Sequence, residues 1–86
     1  PQRDAALGML RDLFTSTVTR EAAEGRGMLR VAIVHAAAAS AAEALALWSE
    51  RRLQAVEVTA DAVTRHAATR LGPGFVAVSW VWDARH

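Results

Sequence analysis

The sequence predicts a small α/β fold, a two-layer sandwich whose sheet is mixed or mainly parallel, built as a β-α-β-α-β core behind a leading helix. Three observations carry this reading. An apolar stripe recurs at helical spacing through residues 4–24, two apolar, β-branched runs occupy residues 28–35 and 75–82, and a helix-forming, alanine-rich stretch separates the first of these runs from the next strand candidate. At 86 residues the chain is one domain over residues 1–86, near the lower end of lengths that bury a self-sufficient core.

The first helix is expected over residues 4–24. Leu7, Leu10, Phe14 and Val18, with Leu13 beside them, form its apolar stripe, and Arg3, Asp12 and Arg20 fall off it. Gly25-Arg26-Gly27 ends it, because glycine tolerates the left-handed backbone that closes a helix. Residues 28–35 read as a central strand covered on both faces, since the run is apolar almost throughout. Ser40-Ala41-Ala42-Glu43 has the form of a capping box that opens a second helix running to about residue 52. That helix is expected to turn Ala41, Ala44, Leu45 and Trp48 inward and to leave Glu43, Glu50 and Arg51 wet.

Residues 55–59 alternate enough for a second, less buried strand, and a strand–helix–strand unit of this length is parallel and right-handed. Asp61 is the expected N-cap of a short third helix over residues 62–69. Gly72-Pro73-Gly74 then turns the chain into a third strand, residues 75–82. It sets Phe75, Ala77, Ser79 and Val81 on one face and Val76, Val78, Trp80 and Trp82 on the other. With so few helices, one sheet face is left bare unless something else covers it.

Composition excludes several classes. Hydrophobic residues make up 52% of the chain, which sets it apart from disordered tails, and the absence of Cys rules out disulfides, thiolate metal sites and a Cys nucleophile. A cytoplasmic location is compatible with that. Every basic residue is Arg, the net charge is only +1 and the arginines are dispersed, so no field for nucleic-acid binding is built. No apolar run is long enough to span a bilayer and no signal-peptide layout opens the chain. The start at Pro1, with no Met, fits a processed protein or a piece of a longer one.

The Gly-Pro-Gly turn is the strongest functional signal. Proline fixes φ and lacks an N–H, and the flanking glycines let a backbone approach a ligand, so the Gly74 and Phe75 amides can face an anionic group with Arg70 as a charged partner. A plain connecting loop is the competing reading. His35, at the carboxyl end of the first strand, lies where ligands gather in open α/β sheets, or is simply hydrogen-bonded within the fold. His66 stands one helical turn before Arg70 and can share its face. The histidines match no metal spacing, and His86 is terminal. Trp48, Trp80 and Trp82 read as core or interface packing, because no basic residues interleave with them as in single-strand nucleic-acid binders. Ser40 has no base beside it, and nothing assembles a nucleophile, a base and an oxyanion site, so no catalysis by this chain is expected.

Two segments carry a family resemblance. LRVAIVHAAAASAAEALALWSER resembles a strand ending in His followed by an alanine- and glutamate-rich helix start in the C-terminal part of DegV family proteins. VTRHAATRLGPGFVAVSW resembles that family's closing His-x-Gly-Pro-Gly motif and the small-residue strand after it. The resemblance covers nearly the whole chain and about the last third of a family member. It implies the C-terminal part of a two-domain bacterial protein that binds a long-chain fatty acid between its domains and, in some organisms, presents the carboxyl group to a fatty acid kinase. It also implies an N-terminal domain, missing from this chain, that carries the Ser/Thr-rich ligand motifs. Gly72, Pro73 and Gly74 match the motif and His35 matches the strand-end His, whereas the motif's own His falls on Arg70. That exchange keeps a cationic donor and removes any role for neutral imidazole. The function implied is lipid binding, with the fatty acid as ligand and no other cofactor. The rival is a structural or interaction domain in which an exposed strand bearing Trp80 and Trp82 meets another subunit or domain.

Overall fold

A computed structural model of the chain describes residues 2–66, 70 and 72–84, with backbone alone at residues 2–4. Its elements run α1 (Gln2–Ala23), β1 (Met28–His35), α2 (Ala39–Arg51), β2 (Glu57–Ala62) and β3 (Val76–Asp83). The three strands form one mixed sheet in the order β2-β1-β3, with β2 parallel to β1 and β3 antiparallel to it. This is the small α/β two-layer fold that the residue pattern predicts.

Both helices lie on the same face of the sheet. Phe14 and Val18 from α1, Leu29, Val31 and Ile33 from β1, and Ala42 and Leu45 from α2 form the buried core, closed at its margin by Val58, Val76, Val78, Trp80 and Trp82. Phe14 meets the Trp80 ring at 5.2 Å between centroids, tilted by 49°. The separation lies within the range of favourable aromatic pairs, in a tilt between offset stacking and edge-to-face. All three indole N–H groups are tied to α1: Trp48 donates to the Thr15 hydroxyl at 2.9 Å, and Trp80 and Trp82 both donate to Glu21 Oε1, at 2.9 and 2.8 Å.

Several expectations are corrected by this layering. β1 is covered on one face only: Leu29, Val31 and Ile33 are buried while Arg30, Ala32 and Val34 are exposed. Alanine and valine at outward positions hide the alternation in the sequence. Trp80 and Trp82 are half-buried under α1, so they do not form an exposed strand face, whereas Ser79 and Val81 point to the open side. Of the first helix's stripe, Leu13 is 69% exposed, well off the face that buries Phe14 and Val18.

The Ser40 capping box does not form. The helix begins earlier, its N-cap is Ala38 without a side-chain cap, and Ser40 is exposed inside the first turn. The His35 imidazole supplies the missing acceptor, taking the Ala38 N–H on Nδ1 at 3.1 Å, while Ala37 bends the chain at φ 53°. Inside α2 the buried residues are Ala42, Leu45 and Ser49, so the inward face is rotated from the expected set; Ala41 and Trp48 are half-buried and Ala44 is exposed. The Ser49 hydroxyl satisfies itself on the Leu45 carbonyl at 2.8 Å.

Asp61 is not a helix cap. It sits in β2 opposite Val34, and Ala62 pairs with His35, which moves the second strand beyond the expected residues 55–59. Backbone pairing with β1 outweighs the capping preference of Asp here. The expected third helix over residues 62–69 does not start there, since Ala62 belongs to β2 and Val63 and Thr64 are not helical. Arg65, His66 and Arg70 have helical backbone, and residues 67–69 and Leu71 lie outside the described residues, as does His86. The strand–helix–strand unit is parallel as expected, while the return into β3 is antiparallel.

Candidate functional site

The carboxyl end of β1 is a junction of three chain segments. His35 O accepts the Val63 N–H at 2.8 Å, Ala36 N–H donates to Phe75 O at 2.9 Å, and Gly74 N–H donates to Ala36 O at 2.6 Å. His35 is also the β1 partner of Val76. The Gly-Pro-Gly turn and His35 are therefore brought together, as the sequence suggests. The Gly74 amide, however, is committed to a backbone carbonyl and is not free for an anion, which corrects that part of the expectation. Gly72 and Gly74 take φ values of 86° and 87°, the left-handed region that makes glycine the fitting residue there.

His35 has a defined tautomer. Because Nδ1 accepts the Ala38 N–H, the neutral ring carries its proton on Nε2, a donor turned away from the capping contact. Phe75 and Gly74 are half-buried, Pro73 is exposed, and Arg70 and His66, each with helical backbone, are exposed. Residues 67–69, which would set the two on one face, lie outside the described residues. No group of three His, Cys, Asp or Glu residues among the described residues can hold a metal.

Beside this junction a cleft of about 350 Å³ opens between the helices. Leu7, Gly8, Leu10 and Arg11 of α1 line one wall, Ala41, Ala44, Leu45 and Trp48 of α2 line the other, and Val76, the first residue of β3, lies at the end next to the turn. Small residues create the space: a Cβ on Gly8 would meet nothing within 4 Å, and Ala41 and Ala44 keep the facing wall shallow. At the other end two guanidinium groups, those of Arg11 and Arg52, lie over the Trp48 ring at 5.0 and 5.7 Å.

The cleft was not identified from the sequence as a site, although its signals are there. A glycine in mid-helix costs about 1 kcal/mol against alanine, and Gly8 fills no turn. On α2 the Ala41, Ala44 and Trp48 spacing marks a small-small-large flank that faces a neighbouring helix instead of the sheet.

Comparison with known proteins leaves the site to be read from its own chemistry. No family model, no curated protein and no solved structure matches the chain. Among the described residues no helix is long and apolar enough to cross a membrane.

Proposed function

We propose that this chain is a lipid-binding module, the C-terminal part of a DegV-type bacterial protein that holds a long-chain fatty acid and presents its carboxylate to a kinase partner. The observation that supports this most is the apolar cleft between α1 and α2, whose end at Val76 abuts the Gly-Pro-Gly turn. Its volume of about 350 Å³ falls at the small end of ligand pockets, a fit for part of an acyl tail whose remainder another domain would cover. The head group lies toward His35, His66, Arg70 and the residues Gly72, Pro73, Gly74 and Phe75. There the His35 Nε2–H and the Arg70 guanidinium are the donors for a carboxylate. The chain orients the ligand and supplies no nucleophile or base; the phosphoryl transfer belongs to the kinase.

Oleate retention tests this reading. The intact protein, with the domain that would complete the site, is incubated with oleate, passed through a desalting column, and its bound lipid measured by mass spectrometry. Wild type should retain oleate, Gly8→Leu should retain several-fold less because the side chain occupies the cleft, and Arg70→Ala should weaken retention without abolishing it. No retention by wild type, or equal retention by Gly8→Leu, would discard the proposal.

A further inference from the structure

The two edges of the sheet are built differently. β2 carries Glu57 and Asp61 along its edge, both exposed, and like charges there discourage another strand from pairing. β3 spans eight residues and is free of charge, proline and glycine from Val76 to Trp82. Within the described chain it pairs on one side only, with β1.

The ladder says which groups face the free edge. His35 and Leu29 direct their carbonyls to residues flanking β2, and Ala36 directs its N–H to Phe75, so the odd residues of β1 bond toward β2 and the even ones toward β3. In the antiparallel register Arg30 stands opposite Val81, Ala32 opposite Ser79 and Val34 opposite Ala77. The main chains of Ala77, Ser79 and Val81 therefore face β1, and those of Val78, Trp80 and Trp82 face outward.

We infer that this edge pairs with β3 of a second copy, antiparallel about a two-fold axis at Ser79, to make one continuous six-stranded sheet. In that register Val78 exchanges main-chain hydrogen bonds with Trp80 of the other copy, Val76 with Trp82, and Ala77 faces Val81. No two like charges meet, and every residue of the uncharged run is used.

Helix α1 independently points to the same axis. It runs alongside β3, with Leu7 and Leu10 near Val76, Phe14 on Trp80 and Glu21 on Trp80 and Trp82. Thr15 faces α2 through Trp48. At about 100° per residue, Leu13 projects about 100° from Phe14 and about 160° from Thr15, on the flank away from α2 and above the free edge. It is 69% exposed, and Val81 on the open face is 58% exposed. Leu13 is adjacent to Phe14, which contacts Trp80, the residue next to the axis, so the two-fold turns the two Leu13 side chains toward each other.

Cross-linking and mass measurement test the inference, and neither depends on the lipid reading. Because the chain has no cysteine, Ser79→Cys adds a lone thiol. Opposed residues of a non-hydrogen-bonded antiparallel pair have Cα atoms about 4.5 Å apart, within disulfide reach. Light scattering should give a dimer for wild type at high micromolar concentration. Mild oxidation should link Ser79→Cys at least tenfold faster than Thr59→Cys on the other edge strand. Ser79→Lys should be monomeric with an unchanged circular dichroism spectrum. A monomeric wild type, equal oxidation of the two cysteine variants, or a dimer that survives Ser79→Lys would each overturn it.

Discussion

A Cβ placed on Gly27 would lie 2.0 Å from the Asp83 carbonyl oxygen, on a backbone already at φ 115°. The atom it would strike is main chain at the end of β3, so no side-chain rotation relieves it. Gly27→Ala should therefore cost more than the roughly 1–3 kcal/mol of a strained backbone alone. Gly72→Ala shares a positive φ but meets nothing within 4 Å, and should cost only the conformational part, about 1–2 kcal/mol. Urea midpoints of the two variants check the order; a Gly72 variant as unstable as the Gly27 variant would contradict it.

Among the elements, α1 is joined to the sheet through one carboxylate. Trp80 first, then Trp82, donates to Glu21 and holds its carboxyl below the ordinary 4.5, against a smaller desolvation effect. The depressed value means that the unfolded chain binds the proton more readily than the folded one. This contribution to stability is complete above about pH 4.5 and is lost as pH falls through the folded value. Glu21→Gln keeps an oxygen for both indoles and removes the titration, so the acid limb of its pH–stability curve, followed by denaturant unfolding, should be flatter than that of wild type. An identical limb would show that other carboxyls govern it.

At the same scale, β1 as a strand and the facing of β3 could be read from residue type, because the first run is apolar and β-branched and Val78, Trp80 and Trp82 take every second place in the other. That only Leu29, Val31 and Ile33 of β1 are buried could not be read, because Ala32 and Val34 are apolar too. The start of α2 could not. Residue type offers the Ser40 hydroxyl as the acceptor for its first amides, but in the fold the Ala38 N–H is taken by His35, three residues earlier and in a different element. Capping rules read along the chain miss an acceptor that a strand end delivers. The head-group side of the candidate site was legible in the same partial way: the turn and His35 do meet, yet the commitment of the Gly74 amide to Ala36 depends on a pairing that only the folded sheet creates.

For the molecule as a whole, one sheet face carries the core and the other is open. Arg30 bridges the three strands there, pairing with Glu57 at 3.0 Å and with Asp83, which keeps its guanidinium more firmly protonated than usual. Exposed pairs of this kind contribute little to stability, so the order of unfolding follows burial. β1 is bonded on both sides and Ile33 is fully buried, while β2 is exposed at nearly every residue. Hydrogen exchange should release β2 first, together with the Val31 and Ile33 amides that bond toward it, and should be slowest at Ala32 and Val34, whose amides bond toward β3. Equal protection of β1 and β2 would mean that the sheet opens as a single unit.

The tethering of all three indoles to a single helix gives the chain a built-in optical gauge. Its intrinsic emission comes from Trp48, Trp80 and Trp82, and each ring is anchored through Thr15 or Glu21. Lifting α1 would wet every fluorophore at once, even with the strands still paired. A red shift in this protein therefore registers the departure of its first helix before it registers the loss of its sheet.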